Sequence, residues 1–310
     1  MEVVVSPSTR RRAATAAAGL LAVIGTAAGG WAATAPPDRT APTKPTIDGQ
    51  RRALNLRPVF TFGATDQRTV RAKMRFRCAF DGAALRPCAR IHQPSSALSF
   101  GPHVLRVRAL DLAGNLSRIT TFSFVVVGRW DAAGDFERAP RPANPGRDRY
   151  GNTAWFYLYS SHGRAHDPAA YELLPTFLVR GANWEVWHLP PDFAGGSVGF
   201  NNARMIFHPS TPDLGHNAIL GWRSPVTATV VVYASLVRTH LDYPVPANGV
   251  VWSLDQGNRS LRSGTLVDGT EATVDMTLAV TAGETLYVIV GDNGDSNCDS
   301  TVVEFTVETS

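Results

Sequence analysis

The chain contains almost no lysine and little charge of either sign. Of its 30 basic residues only Lys44 and Lys73 are lysine, and charged residues make up 18% of its 310 positions. The excess of arginine, together with abundant alanine, indicates a GC-rich bacterial coding sequence and carries no information about activity. A hydrophobic content of 44% supports folded cores and excludes a disordered chain.

Motifs of several enzyme classes are also missing. The sequence contains no phosphate-binding loop, no dinucleotide fingerprint and no HExxH zinc motif. His162 and His166 lie among Gly and Pro, which does not support zinc hydrolysis. Glu172 and Glu185 lie near aromatic residues, but any chain supplies two carboxylates for a glycosidase pair. We therefore predict no catalytic residue and a protein that is not an enzyme.

The N-terminal segment has the pattern of an export signal. Arg10, Arg11 and Arg12 precede an uncharged stretch over residues 13–35 that ends in Ala-Thr-Ala. Pro36 disfavours cleavage there, and the 23 uncharged residues are also long enough for an uncleaved membrane anchor. Both outcomes predict an extracellular or cell-surface protein. Residues 36–44, with their prolines and threonines, predict an extended linker.

Charge divides the rest of the chain in two. Residues 36–128 carry 15 Lys and Arg against 5 Asp and Glu, a net charge of +10, whereas residues 129–310 carry a net charge of −8. This asymmetry indicates two domains. A basic domain can hold an anionic polymer such as a wall glycan or nucleic acid. The arginines alternate along strand-like runs without clustered aromatic residues, which favours a solvated sheet face and no specific nucleic acid.

The first domain, residues 45–127, has apolar residues with a period of two. The pattern predicts strands, listed here by number: 59–62, 74–80, 104–110 and 122–127. Asp81-Gly82 predicts a hairpin turn, and residues 111–115 have the composition of another turn. Short strands and turns at this spacing predict an Ig-like β-sandwich.

Two cysteines lie in the predicted hairpin. In an exported protein Cys78 and Cys88 are expected to form a disulfide, which closes a loop of about ten residues. Metal binding is the alternative, but it needs more ligands than His92 and His103 supply. Cys298 is then the odd thiol.

The same segment resembles a known family. Residues 76–82, Pro87-Cys88 and residues 103–115 are similar to the bacterial Ig-like repeat of extracellular proteins, with its "CSLDG…PC" hairpin and its strand and turn ending in "D-x-A-G-N". The resemblance covers most of about 80 residues. It implies an Ig-like spacer or adhesion module with a hairpin disulfide and no catalytic residue.

The sequence of the second domain, residues 130–309, also predicts only strands. Eleven strand-like runs and no convincing amphipathic helix predict an antiparallel jelly-roll sandwich. Short motifs across this domain resemble those of the β-sandwich modules found beside bacterial carbohydrate-active enzymes and surface proteins. The matching positions are Asn201, His208-Pro209, 220–225, 248–250, 263–266, 282–284 and 299–301. The resemblance implies the fold and an occurrence beside carbohydrate-active enzymes or surface proteins. It says less about the ligand.

Aromatic residues in the second domain suggest a ligand-binding platform. Trp155, Tyr157 and Tyr159 alternate on one strand face, and a flat row of aromatic rings can stack on sugar rings. A sandwich core explains the same alternation. The predicted site comprises these residues and four others that fall later in the chain: Asn183, Trp184, Trp187 and Asp192.

Other tryptophans are predicted to lie inside. Trp184 and Trp187 fall on opposite faces of their strand, so one of them belongs to the core. Trp222 and Trp252 lie within continuous apolar strands and are predicted to be core residues.

A late polar loop offers a cation site. It concentrates five side-chain oxygen donors, which suit a structural Ca²⁺, although a plain Asp/Asn/Gly turn has the same composition. The five candidate ligands are Asp292, Asn293, Asp295, Asn297 and Asp299. No other cofactor is predicted.

These patterns predict a non-catalytic extracellular protein, consisting of an Ig-like spacer followed by a sandwich that binds a cell-wall or environmental polysaccharide. Two alternatives remain open at this stage. One is an adhesin or envelope structural protein whose sandwiches contact other proteins. The other is a glycan hydrolase or lyase with its site on the second domain.

Overall fold

A computed structural model describes most of the chain from Pro36 onward. The described residues are 36–138, 143–181, 184–190, 195–211, 213–238, 248–267, 269–294 and 299–310. The export segment, with the possible anchor over residues 13–35, lies outside these ranges, so export remains a prediction. Within them, no helix has the length and apolar character needed to cross a bilayer.

The first sandwich is built from short strands with alternating burial. Its strands are β1 (Thr46–Asp48), β2 (Arg52–Ala53), β3 (Phe60–Gly63), β4 (Arg75–Phe80), β5 (Arg86–Cys88), β6 (Ile91–His92), β7 (Gly101–Leu110) and β8 (Thr120–Val126). A three-stranded sheet has the order β1-β3-β6, and a five-stranded sheet has the order β2-β8-β7-β4-β5. One core, centred on Phe60, Phe62 and Phe124, includes residues of both sheets.

A hairpin turn and a disulfide fix the edge of the five-stranded sheet. Asp81 and Gly82 both have positive φ angles, 48° and 82°, as the predicted two-residue turn requires. Strands β4 and β5 pair on either side of this turn. The predicted Cys78–Cys88 disulfide is confirmed and joins these two strands.

The second sandwich begins directly after the first. Its elements are β9 (Arg129–Asp131), α1 (Ala132–Arg138), β10 (Gly146–Arg147), β11 (Thr153–Ser161), β12 (Glu172–Leu173), β13 (Thr176–Arg180), β14 (Trp184–His188), β15 (Ser197–Asn201), β16 (Arg204–His208), β17 (His216–Arg223), β18 (Ala228–Arg238), β19 (Val250–Gln256), β20 (Arg259–Leu266), β21 (Glu271–Val280), β22 (Thr285–Asp292) and β23 (Thr301–Thr309). The prediction of an all-β fold is confirmed by this architecture.

One helix departs from the prediction that the second domain contains only strands. Helix α1 buries Phe136 and also Asp135, whose carboxylate accepts a hydrogen bond from Trp155 Nε1 at 3.1 Å and contacts Arg138 and Arg149. Two helical turns are too short to produce a clear apolar period. The helix therefore depends on these tertiary contacts.

Two antiparallel sheets enclose the larger core. The seven-stranded sheet has the order β10-β11-β17-β22-β19-β20, with β12 beside β11. The eight-stranded sheet has the order β13-β14-β15-β16-β23-β18-β21, with β9 beside β23. The core contains Trp130, Trp155 and Trp222, none of which has exposed surface.

A second, smaller apolar cluster covers the outer face of the seven-stranded sheet. Leu158, Ile219 and Ile289 lie on that face, and Ala165 and Tyr171 of the segment after β11 pack against them. Residues 162–171 therefore fold across the outside of this sheet. This segment and the strands beneath it form the wall of the site described below.

The two sandwiches touch each other within one compact unit, Arg39–Ser310. The Phe100 ring packs on Trp130 and Tyr150, with ring centroids 5.5 and 5.1 Å away. Arg52 forms an ion pair with Glu308. The division into domains at residues 45–127 and 130–309 remains a prediction.

Candidate functional site

The predicted aromatic platform is wrong for its first two residues. Trp155 and Tyr157 do share one strand face, but their exposed fractions are 0% and 2%. Trp155 packs edge-on against Phe305 of the opposite sheet, and Tyr157 against Phe136 of α1. A ring enclosed between two sheets has no free face for a sugar.

Tyr159, on the same strand, is only partly buried. Its hydroxyl donates a hydrogen bond to Glu172 Oε2 at 2.6 Å, and its ring meets His216 edge-on at 5.3 Å. The hydrogen bond to Glu172, followed by burial, raises the pKa of Tyr159 to about 12. Tyr159 is thus neutral, and its hydroxyl is already hydrogen-bonded to Glu172.

The remaining predicted residues lie on the other sheet or outside the described ranges. Trp184 and Trp187 are partly buried on opposite faces of β14, and Trp187 packs on Phe177 at 5.1 Å and on the main core. Asn183 and Asp192 fall outside the described residues. The described members of the predicted site therefore do not meet at one surface.

Of the two other tryptophans predicted to be core residues, one is fully buried. Trp222 has no exposed surface, which confirms the prediction. Trp252 is partly exposed and packs against the main core. Its indole lies over Gly264 of the neighbouring strand, where an added Cβ would stand 3.2 Å from Nε1.

A cleft of about 320 Å³ opens on the outer face of the seven-stranded sheet. We call it the outer-sheet cleft. It lies between the segment after β11 and strands β17, β19, β20 and β22. Its lining residues are Ala165, His166, Asn217, Val251, Trp252, Ser253, Ser263, Gly264, Ile289 and Gly291.

Strand register positions the polar side chains of this cleft. Ser253 of β19 lies between Ser263 of β20 and Ile289 of β22. Directly paired residues on neighbouring strands point to the same side of a sheet. The two serine hydroxyls therefore lie beside the Ile289 side chain on the outer face, whereas Trp252 points into the core.

A glycine makes room for the amide at the cleft floor. A Cβ on Gly291 would stand 2.5 Å from Asn217 Oδ1 and 3.1 Å from the Val251 side chain. Asn217 donates hydrogen bonds from Nδ2 to Ser160 Oγ at 3.0 Å and to Ser161 O at 3.1 Å. Its amide oxygen lies over Gly291, in the space that a side chain there would fill.

A buried carboxylate orients the histidine at the rim. His166 Nδ1 lies 2.7 Å from Asp255 Oδ2, and the His166 side chain is 51% exposed while that of Asp255 is fully buried. Asp255 Oδ1 has no hydrogen-bond partner among the described residues. This contact fixes the orientation of the imidazole ring.

Tyr171 holds the histidine segment in place. Its hydroxyl donates a hydrogen bond to Ala165 O, and its ring packs edge-on against Tyr287 at 5.0 Å. Burial, and then the charge of Asp255, raise the pKa of the Tyr171 phenol. A neutral phenol keeps this hydrogen bond at ordinary pH.

Ser253 is the unsatisfied group of the cleft. It is 4% exposed, and its hydroxyl is buried with no hydrogen-bond partner in the described part of the chain. Buried hydroxyl groups normally have a partner, because an unmade hydrogen bond costs about 1–3 kcal/mol. The unused donor and acceptor of Ser253 lie at the wall of the cleft, where a small rotation of the side chain would present them to a polar ligand.

The cleft contains a serine and a histidine–carboxylate pair. His166 with Asp255 resembles the base of a hydrolase, but Ser253 makes no hydrogen bond to His166 within the described residues. What the cleft offers a ligand is hydroxyl, imidazole and amide groups over an apolar floor.

A second serine also fails as a nucleophile. Residues 195–199 read Gly-Gly-Ser-Val-Gly, which matches the pattern of a nucleophile elbow. Ser197 lies within β15, paired to His188 and His208, and is 3% exposed. A nucleophile elbow requires a sharp turn between a strand and a helix. Ser197 lies at a paired position of an antiparallel strand instead.

The predicted calcium loop is only partly described. Asp299 is fully buried, with a carboxylate oxygen 3.5 Å from the buried guanidinium of Arg238. Asn293 donates a hydrogen bond to Asn248 O at 2.9 Å, and Asp292 ends β22. Asp295 and Asn297 lie outside the described residues, as does Cys298. Calcium binding therefore remains a prediction.

The outer-sheet cleft was not found from the sequence. Ser253 and Asp255 occupy alternate positions of an otherwise apolar strand. This pattern places two polar side chains on the same face of the sheet. Without the pairing of β19 with β22, nothing connects them to His166, which is 89 positions away from Asp255.

No family model and no curated protein matches the chain. Solved structures give remote matches. A study of carbohydrate-binding modules of the β-sandwich superfamily provides one at 11% identity and TM-score 0.30, covering 88% of this chain and 97% of that one.

Two further structures are similar at the same level. One contains CBM51-2, in complex with GlcNAc, and INT domains of Clostridium perfringens ZmpB; it matches at 11% identity and TM-score 0.27, over 85% of this chain and 48% of that one. The other is the PKD domain of an M14-like peptidase from a Thermoplasmatales archaeon. It matches at 15% identity and TM-score 0.23, covering 28% of this chain and 96% of that one. Structural similarity at TM-scores this low supports no inference about function.

Proposed function

We propose that the protein is a non-catalytic binding protein that recognises carbohydrate through the outer-sheet cleft. The observation that carries the proposal is the buried Ser253 hydroxyl, which lines the cleft and has no partner among the described residues. Two neighbouring hydroxyls of a sugar can satisfy it, one donating to its oxygen and the other accepting its proton. Binding then recovers the hydrogen bonds that the free protein leaves unmade.

The other groups of the cleft suit the same ligand. His166, held by Asp255, presents an oriented imidazole, and Asn217 and Ser263 add an amide and a hydroxyl. Val251, which is 40% exposed, supplies an apolar patch for the C–H face of a sugar ring. A volume of about 320 Å³ is at the lower end of the range for small-ligand pockets, about 300–1,000 Å³, and fits one or two sugar rings.

The affinity is expected to be modest. The site lacks the stacked aromatic platform that the sequence suggested, so a few hydrogen bonds and a small apolar contact must supply the binding free energy. We expect a Kd on the order of 10–1,000 μM, equivalent to about 4–7 kcal/mol.

The proposed setting is outside the cell. Support comes from the three arginines at positions 10–12 and the uncharged residues 13–35, which would export the chain and leave the sandwiches to meet a cell-wall or environmental polysaccharide. In this arrangement the first sandwich serves as a spacer. Recovery of the full-length protein in the cytoplasm after fractionation would contradict export.

The test is a glycan array followed by titration of a retained sugar with the Ser253→Ala variant. We expect a loss of affinity of about tenfold or more, because an oriented buried hydroxyl is removed. The stability should hardly change, since this hydroxyl has no protein partner to lose. His166→Asn, whose amide N–H lies near the position of Nδ1 and can still donate to Asp255, should also weaken binding.

Ser96→Ala provides the matched control, because Ser96 is an exposed serine in a loop of the first sandwich. It should bind like the wild type. Unchanged sugar affinity in Ser253→Ala would remove the cleft as the site. Release of reducing ends from the retained glycan would replace the proposal with a hydrolase or lyase, and retention of proteins without any glycan would favour an adhesin.

A further inference from the structure

The outer face of the five-stranded sheet in the first sandwich carries four arginines. Arg75 and Arg77 alternate on β4, and Arg106 and Arg108 alternate on β7. We call this set the arginine face. The residues between them, such as Phe76 and Val107, are buried in the first core, so the arginines point to the opposite side.

Register brings the positive charges together. Strands β4 and β7 are neighbours, and Arg77 lies directly opposite Arg108, while Arg106 lies opposite Ala79. Like charges directly opposite each other destabilise a sheet. An external anion would relieve this repulsion.

No acidic side chain serves that purpose. Strands β2, β4, β5, β7 and β8 contain no Asp or Glu. Within the described ranges, none of the four arginines forms an ion pair. The nearest acidic residues along the chain are otherwise engaged, because Asp81 contacts His103 and Asp111 accepts hydrogen bonds from Asn115.

Backbone contacts hold three of the guanidinium groups. Arg75 donates to Asp111 O at 3.2 Å, Arg106 to Ala83 O at 2.6 Å, and Arg108 to Ser117 O at 2.8 Å. Each bond uses one N–H and leaves the others for a ligand. Arg106 Nε is also buried without a partner in the described structure. These contacts reduce the entropy lost when a ligand binds.

We propose that the arginine face binds a linear acidic polysaccharide through its carboxylates. Guanidinium groups form paired hydrogen bonds with carboxylates. Neighbouring strands are about 4.8 Å apart, and alternate residues of one strand are about 7 Å apart, so the four Cα positions form a grid, with Arg77 and Arg108 at its centre, that suits an extended polyanion. This site and ligand are independent of the outer-sheet cleft.

The composition of the face favours a polysaccharide over single-stranded nucleic acid. Its side chains on β4, β7 and β8 include no aromatic ring, since the phenylalanines of these strands belong to the first core. Proteins that hold single-stranded nucleic acid combine positive charge with aromatic side chains on which the bases stack. The arginine face has only the charge.

The test measures binding of the whole protein to polygalacturonate, with the Arg77→Gln/Arg108→Gln variant. We expect the affinity to fall about fivefold or more, because the two opposed charges at the centre of the grid are lost. Binding by the wild type should weaken as salt rises. Neutral dextran should not bind at this face.

The matched control is Arg259→Gln/Arg262→Gln, which removes two exposed arginines from β20 of the other sandwich. It has the same net charge as the test variant and should retain polygalacturonate within about twofold. An equal loss in both variants, or no loss in the test variant, would overturn the proposal. Tighter binding to duplex DNA than to polygalacturonate, lost in the test variant, would also overturn it in favour of nucleic acid.

Failure of this proposal is distinguishable from failure of the cleft. The Ser253→Ala variant should bind polygalacturonate like the wild type, and the Arg77→Gln/Arg108→Gln variant should bind the neutral sugar of the cleft unchanged. A melting temperature close to that of the wild type in each variant would confirm that the fold is intact.

Discussion

The two sandwiches are stabilised in different ways. The first core contains phenylalanines and small aliphatic residues, and the Cys78–Cys88 disulfide reinforces its edge hairpin. The second core encloses three tryptophans without any exposed surface. A domain of about 80 residues buries a smaller fraction of its surface than one of about 180 residues. The smaller sandwich therefore gains more from a covalent link.

The difference also affects where polar groups are tolerated. The second sandwich holds Ser253 and Asp255 buried on an outer sheet face, each with an atom that lacks a hydrogen-bond partner in the described residues. Each such atom costs free energy, and a large aromatic core can offset that cost. In the first sandwich the outer face of the five-stranded sheet carries arginines instead, of which Arg75 and Arg77 are exposed and Arg106 has one buried nitrogen without a described partner.

The largest effect should come from the core of the second sandwich. Trp222→Ala leaves a cavity where an indole packs on Trp130 at 5.1 Å, and it should lower the free energy of unfolding by about 3–5 kcal/mol. Denaturant unfolding followed by tryptophan fluorescence measures this, since residues 45–127 contain no tryptophan.

Tyr159→Phe is the control on the same sheet. It removes only the hydroxyl contact with Glu172 and should cost about 1 kcal/mol or less. A cost for Trp222→Ala no greater than that of Tyr159→Phe would contradict the assignment of Trp222 to the core.

Loss of the disulfide should have the next largest effect, confined to the first sandwich. Cys78→Ser with Cys88→Ser opens a loop closed over a sequence separation of 10, which should cost roughly 2–3 kcal/mol. Hydrogen exchange measures the amides of β7 and of β22 separately. We expect faster exchange in β7 only; equal loss of protection in both strands would mean that the two sandwiches unfold together.

A smaller effect should follow from filling the cleft floor. Gly291→Ala puts a methyl group 2.5 Å from Asn217 Oδ1 and should cost about 1–3 kcal/mol through overpacking. It should also weaken sugar binding. Gly163→Ala is the control, because its added Cβ would meet nothing within 4 Å, and a similar cost for both variants would show that the cleft floor is not tightly packed.

The smallest effect concerns pH. Burial lowers the pKa of His92 in the first sandwich and of His208 in the second below the ordinary value of 6.5. The unfolded chain therefore binds protons first, so the free energy of unfolding should fall as the pH drops below about 6.5 and until the folded-state pKa values are passed.

Thermal melts between about pH 7.5 and about pH 5 test this sign. His92→Gln and His208→Gln should each flatten the decline, and the double variant should flatten it most. An unchanged pH profile in the double variant would assign the acid sensitivity to other groups.

Much of the fold could be predicted from the sequence because its signals are local. Period-two apolar runs predicted the strands around Phe76 and Val107, and two positive φ angles at Asp81 and Gly82 follow from an Asp-Gly turn. Strands such as Ser197–Asn201 were missed because buried polar and glycine residues interrupt their apolar pattern. Helix α1 was missed because one contact that holds it, the hydrogen bond from Trp155 of β11 to Asp135, joins residues 20 positions apart.

The alternation of Trp155, Tyr157 and Tyr159 determined that these rings share a face, because successive side chains of a strand point to opposite sides. Only the tertiary structure decided that this face is the core, since nothing local specifies which side a second sheet will cover. The same applies to the cleft. Ser253 and Asp255 share a face by sequence, but the pairing of β19 with β22 and the fold of the segment after β11 bring them to Asn217 and His166.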